Sequence, residues 1–174
     1  MKVRILISAA LAVLLVPFTA LADTEAGVDA FVSKNFDVAL KELMPAATAG
    51  DSQALFVLGQ MYSFGYGVKK DVKKALELYG KAALLGHVGA QKEYGTALAI
   101  GEGAEQNVSE GLKWLFIAGK AGHPQAQQYA LRFSKFMNRS IVSAARRSAA
   151  QWTRDFKKKT ADAEATTNVA APKN

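Results

Sequence analysis

An all-α solenoid of stacked helix pairs, closed by one further helix, is the architecture this sequence predicts, and three observations carry the prediction. The first is a step of 36 residues. Ala54, Leu58, Gly59, Tyr62, Gly65, Gly67, Val68, Asp71, Ala75, Tyr79, Ala82, Ala83 and Gly86 lead to Ala90, Tyr94, Gly95, Leu98, Gly101, Gly103, Ala104, Asn107, Gly111, Leu115, Ala118, Gly119 and Gly122. The same step backwards reaches Ala39, Leu43, Ala46, Ala47 and Gly50. A fixed period in this range marks stacked units rather than one globular core. The second observation lies inside the unit: Ala54, Leu58, Gly59 and Tyr62 form one helical stripe and Ala75, Tyr79, Ala82 and Ala83 another, with Gly65-Tyr66-Gly67 between them. The third is the punctuation. Asp71 and Asn107 stand where a second helix needs an N-cap, and Gly86 and Gly122 where a helix needs a left-handed residue to end.

The stretch ALFVLGQMYSFGYGVKKDVKKALELYGKAALLG resembles a Sel1-like repeat, a relative of the tetratricopeptide repeat with a longer, glycine-containing turn between its helices. The following unit, AQKEYGTALAIGEGAEQNVSEGLKWLFIAGKAG, has Leu98 in place of the aromatic and Gly111 and Gly119 in place of alanines, from which a looser second layer is expected. The resemblance spans roughly residues 35 to 133. It implies a right-handed α-α solenoid and an adaptor or scaffold role in envelope assembly, signalling or virulence, and it names no substrate. Action on cell-wall or β-lactam substrates is implied only for cysteine-rich members of such a family, and this chain has no cysteine.

Taken in order, Lys2 and Arg4 precede an apolar run from Ile5 to Val16, and Ala20-Leu21-Ala22 offers small residues where a signal peptidase reads them. Residues 1–22 are therefore expected to be a signal peptide cut between Ala22 and Asp23, giving a periplasmic or secreted protein with no stable membrane span after cleavage. The solenoid is expected over 23–139, with repeats at about 54–89 and 90–125 and partial units on either side. Its first unit is a short helix from Thr24, a tight turn at Lys34-Asn35 and a second helix over Phe36 to Ala49. That unit caps the stack, and Pro45 within it calls for a kink or a late helix start. Glycine inside a helix costs about 1 kcal/mol relative to alanine, so Gly59 and Gly95 mark close helix approach. His123-Pro124 opens another helix through about Asn138. Ser140 is read as the N-cap of a basic amphipathic capping helix over 140–159, with Ile141, Ala145, Ala149, Trp152 and Phe156 on one face. Residues 160–174 carry nothing to bury and are expected to be a disordered tail.

Charge is concentrated at one end. The whole chain is +7. Residues 23–131 hold 10 Lys against 12 acids, while residues 132–159 hold nine basic residues against Asp155 alone. Arg146, Arg147, Arg154, Lys157 and Lys158 lie opposite the Trp152 stripe, a basic face suited either to solvent or to an anionic surface. Nucleic acid is not expected as a partner of an exported protein.

Chemistry-bearing constellations are sparse. His87 and His123 are one repeat apart at helix starts, about 8 to 10 Å apart if the helices stack, too far to share a metal. Gly65-Tyr66-Gly67 and Gly101-Glu102-Gly103 follow helices rather than strands and read as turns, not phosphate loops. Glu102 and Glu105 have nothing nearby to shift either as a catalytic acid. The sequence thus predicts a non-enzyme with no cofactor and no metal, an adaptor for a protein or peptide; an inhibitor or sensor subunit of a membrane receptor is the alternative. Steps of about 100° per residue put Gln53, Phe56, Gln60, Ser63 and Phe64 on the face away from the pair's own stripe, where such solenoids are concave. The same offset selects Lys92, Thr96 and Ile100, then Gln128, Arg132, Lys135 and Phe136. The expected partner surface is Phe56, Gln60, Phe64, Lys92, Thr96, Arg132 and Lys135, with Arg146, Arg147 and Arg154 as a second contact.

Overall fold

A computed structural model describes residues 24–169, and every element there is a helix. They are α1 (Thr24–Val32), α2 (Phe36–Thr48), α3 (Ser52–Phe64), α4 (Val72–Leu84), α5 (Val88–Ile100), α6 (Val108–Lys120), α7 (Pro124–Ser134) and α8 (Arg139–Val169). From α1 to α7 each helix packs on the next in the chain, the arrangement of a helical-repeat solenoid. The proposed signal peptide, with its cleavage point at Ala22/Asp23, and residues 170–174 of the expected tail lie outside the described residues.

The repeat is visible in the backbone. Asp51 and Asp71 cap α3 and α4 by accepting from the amides of Ala54 and Lys74 at 2.7 and 2.9 Å, and Asn107 caps α6 from Glu110 at 3.0 Å. Gly65 and Gly101 end the leading helices in left-handed backbone, at φ of 78° and 80°, which only glycine adopts without strain. Each long turn is then closed by the same bond: the Asp71 amide donates to the Tyr62 carbonyl, and the Asn107 amide to that of Leu98, both at 2.8 Å. In the shorter α1–α2 turn Lys34 takes the positive φ instead, at 60°. Pro45 does not delay α2, which starts at Phe36. The proline sits exposed in its last turn, and the Lys41 carbonyl that loses its intrahelical donor belongs to an exposed residue that water can reach.

Alanines fill the interior: Ala39, Ala54, Ala82, Ala83, Ala90, Ala118 and Ala126 are fully buried, which lets successive helices approach closely. The closest approach falls where a looser layer was expected. A Cβ on Gly95 would stand 2.9 Å from the Gly111 carbonyl oxygen, and one on Gly111 would stand 2.6 Å from the Gly95 oxygen and 2.7 Å from the Ala99 nitrogen. Gly111 therefore tightens the second layer, because two facing glycines bring the α5 and α6 backbones into contact. In the first layer Gly59 is filled by the Tyr79 ring instead, 2.6 Å from where its Cβ would be.

The last helix departs from expectation at both ends. Asn138, not Ser140, begins it: the Asn138 side-chain oxygen accepts from the Ser140 amide at 2.9 Å and from its hydroxyl at 3.0 Å. At the other end α8 continues past Lys159 to Val169. Residues 160–166 are exposed, so burial does not hold them; once a helix is nucleated, good helix formers such as Ala161, Ala163 and Ala165 add turns without it. Ahead of this extension, Ala145 and Ala149 are buried and Trp152 meets Trp114 of α6 edge-on at 5.2 Å. Phe156 stacks on Trp152 at 4.8 Å and covers Gly86, in the turn between α4 and α5. Thus α8 runs back across the stack, whereas Ile141, read as part of its packed stripe, remains 38% exposed.

Candidate functional site

The residues expected to form the partner surface separate into two groups. Phe56, Lys92 and Thr96 are occupied. Phe56 is half-buried, stacked on His87 with ring centres 4.4 Å apart and tilted against Tyr79 at 6.0 Å, so it joins one repeat to the next instead of facing a partner. Lys92 is ion-paired with Glu93 at 2.5 Å, its side chain 13% exposed. Thr96 donates its hydroxyl to the Lys92 carbonyl at 2.8 Å. It borders a cleft of about 50 Å³ with Ser63, Tyr79, Glu93 and Glu102, where burial pushes the Tyr79 hydroxyl's pKa well above its usual value.

Gln60 is half-buried, and Phe64, Arg132 and Lys135 are exposed. Phe64 belongs to a row that the repeat generates: Phe64, Ile100 and Phe136 occupy one register in three successive units and are 61%, 51% and 78% exposed. Phe64 also stacks on Tyr66 at 5.5 Å, which in turn lies parallel to Phe36 at 5.3 Å and tilts against Phe31 at 6.1 Å. Sequence reasoning passed over Tyr66 as a turn residue. Its aromatic character between two glycines was the available signal.

The two histidines are N-caps, and His87 does more than cap. Its Nδ1 accepts from the Ala90 amide at 3.0 Å, so its Nε2 carries the proton and donates to Gln53 Oε1 at 2.8 Å, linking the start of α5 to that of α3. Burial holds its pKa below the usual 6.5, against the upward pull of the Asp51 carboxylate. As pH falls through 6.5 the unfolded chain takes up a proton that the folded chain refuses, so stability present above 6.5 is lost progressively as pH falls to the depressed folded value. Melting temperature is therefore expected to drop between about pH 7.5 and 5.5. His87→Asn, which keeps a capping acceptor, is expected to flatten that slope. Identical slopes in both proteins would show that the cap does not titrate as described.

On α8, Arg146, Arg147 and Arg154 are all exposed. The Arg146 guanidinium lies 5.1 Å from the centre of the Phe116 ring, and Arg154 donates to Gln151, whose amide holds Asp155 at 2.9 Å. Two grooves that the sequence did not reveal complete the surface. One, of about 370 Å³, lies between α6, α7 and α8, with Phe116, Leu131, Arg146 and Ala150 among its walls. The other, of about 660 Å³, lies between α2, α3 and α4 beside the exposed Met44, Leu84 and Leu85. Among the described residues no three His, Cys, Asp or Glu side chains gather as metal ligands would, and no helix is long and apolar enough to cross a membrane.

The Sel1 repeat profile matches twice, over residues 52–87 and 88–123, each match opening on the first residue of a leading helix. Among curated proteins, the chain is 33% identical over 98 residues to DAP3-binding cell death enhancer 1 of Rattus norvegicus, covering 51% of this chain and 19% of that protein. It is 40% identical over 76 residues to an F-box protein of Arabidopsis thaliana, covering 42% and 20% respectively. The matched region thus spans about a fifth of the length of these relatives. Among solved structures, a Sel1 repeat protein from Oxalobacter formigenes aligns with a TM-score of 0.58 at 26% identity, over 63% of this chain and 85% of that one. A protective antigen of uropathogenic Escherichia coli with an SLR fold aligns with a TM-score of 0.71 at 22% identity, over 87% of this chain and 32% of that one, a likeness of fold.

Proposed function

The chain carries two Sel1 repeats in an all-α helical-repeat solenoid, and from that premise we propose that it is an exported, non-catalytic adaptor that holds another protein or peptide along the exposed ends of its leading helices. Repeats of this kind generally serve as scaffolds for protein–protein contact, with each unit adding one element to an extended surface. The observation that carries the reading is the row of Phe64, Ile100 and Phe136, large apolar side chains left in water at one register of three units. Recurrent exposed apolar groups of this size mark interaction surfaces. Gln60 borders the row in the first layer, and Arg132 and Lys135 add cations in the third, so a partner with apolar anchors and acidic residues toward one end fits best.

Photo-crosslinking side chains placed at positions 64, 100 and 136 in intact cells test it. One common partner is expected from all three, and none from the exposed Lys73 and Glu77 of α4. Equal capture from every position, or from none of the three, would sink the reading. Export is tested in the same cells, where the protein recovered outside the cytoplasm is expected to begin at Asp23.

A further inference from the structure

We propose that the groove between α6, α7 and α8 is a docking site for an acidic amphipathic helix of a partner protein. The proposal rests on the protein-binding reading above but places the contact away from the Phe64 row and gives the occupant a definite chemistry. It begins with a departure from the repeat. In each of the two repeats the leading helix packs on the helix that follows it, α3 on α4 and α5 on α6; α7 and α8 both pack on α6 but make little contact with one another. The flank of α7 that a following helix would cover is therefore open. What lies there is a walled channel of about 370 Å³.

Its lining is apolar, with Leu115 and Phe116 on one side, Leu131 on a second and Ala149 and Ala150 on a third. Leu131 is 52% exposed although it lines the channel, as a side chain awaiting cover would be. Lys120 and Arg146 supply the charge, and no carboxylate lines the groove. Neither cation has a carboxylate partner among the described residues, where the ion pairs are Lys92–Glu93 and Lys113–Glu110. Arg146 instead rests over the Phe116 ring, which keeps its guanidinium beside the apolar floor. The segment 132–159, which supplies the α8 wall, holds nine basic residues against Asp155, itself held by Gln151.

Charge complementarity and shape together select the occupant. Apolar walls with unpaired cations call for leucine-like anchors flanked by carboxylates, and a channel left where a helix would pair calls for a helix. A bilayer surface is flat and would reach the outer arginines without entering a groove walled on both sides.

The test uses ¹⁵N-labelled protein and two synthetic helices that share a leucine face at i, i+3, i+4 and i+7, one flanked by glutamates and the other by lysines. The glutamate peptide is expected to shift amide resonances around Phe116, Leu131 and Ala150, while the lysine peptide leaves them in place. The double variant Lys120→Glu with Arg146→Glu is expected to bind the glutamate peptide about tenfold or more weakly and to gain affinity for the lysine peptide. That gain shows that the variant is folded. Ala150→Phe, which fills the channel without changing charge, is expected to abolish binding of the glutamate peptide. The proposal is overturned if the two peptides bind alike, if the shifts fall on Phe64 and Ile100 instead, or if only vesicles of anionic lipid perturb the groove. Binding here with no crosslink at the Phe64 row would overturn the earlier reading of the contact surface and leave this one standing.

Discussion

Replacing Gly111 by valine is expected to lower stability by about 3 kcal/mol, the upper end of the usual range for overpacking, which for a domain of this size corresponds to a fall of about 10 °C in melting temperature. The reason is what a side chain would meet. At Gly111 the nearest atoms are the Gly95 carbonyl oxygen and the Ala99 nitrogen, both backbone, and the Ala99 Cβ at 2.8 Å. None of these moves unless α5 and α6 separate along their length. Gly95 faces the same contact, with the Leu115 nitrogen and the Trp114 Cβ each at 3.0 Å. Gly59 offers the comparison, since its neighbour is the edge of the Tyr79 ring, which can tilt. The alanine variants sharpen the test, because alanine recovers about 1 kcal/mol of helix propensity. Gly59→Ala is expected to be mild and Gly111→Ala clearly destabilising. Equal thermal melts for the two would mean that the α5 and α6 backbones part as easily as a ring swings.

Trp152→Ala is expected to cost about 3 kcal/mol, toward the lower end for deleting a packed tryptophan, and to release the second half of α8. Trp152 sits between Trp114 and Phe156, and Trp114 is held in turn by the bond from its indole nitrogen to Glu110 at 2.9 Å. Without the central ring, Phe156 loses its stacking partner as well as the support that keeps it over Gly86. Hydrogen exchange is the measurement. Amides from Trp152 onward should lose protection while those of α3 and α5 keep theirs, and trypsin should cut at Arg154 and Lys157. A uniform loss of protection would make α8 part of one cooperative unit with the repeats.

What the sequence disclosed follows from which interactions are local. The caps at Asp71 and Asn107 and the left-handed glycines at 86 and 122 depend on neighbours within a few residues, and the structure has them where spacing put them. What lay hidden depends on pairs of distant residues. Gly111 alone reads as a missing side chain; only opposite Gly95 does it become a close contact. Phe56 was assigned to the open face because helical offset describes one helix, whereas His87, which stacks on it, caps the leading helix of the next unit. Lys92 and Thr96 were spent on neighbours that periodicity does not weigh. The row at Phe64, Ile100 and Phe136 was within reach of the offset argument. The groove was not, since it follows from the way α8 crosses α6.

That return of α8 also bears on time. Contacts from α1 to α7 join helices close in sequence, the kind of topology that forms quickly, but Phe156 must find Gly86 across all the chain between them. An interaction completed after the barrier to folding leaves the rate of formation nearly untouched and slows only the reverse step. The terminal helix would then act as a brake on unfolding. Its tryptophan and phenylalanine would set the lifetime of the assembled stack, and hence how long the protein resists irreversible loss when lifetime depends on the unfolding rate.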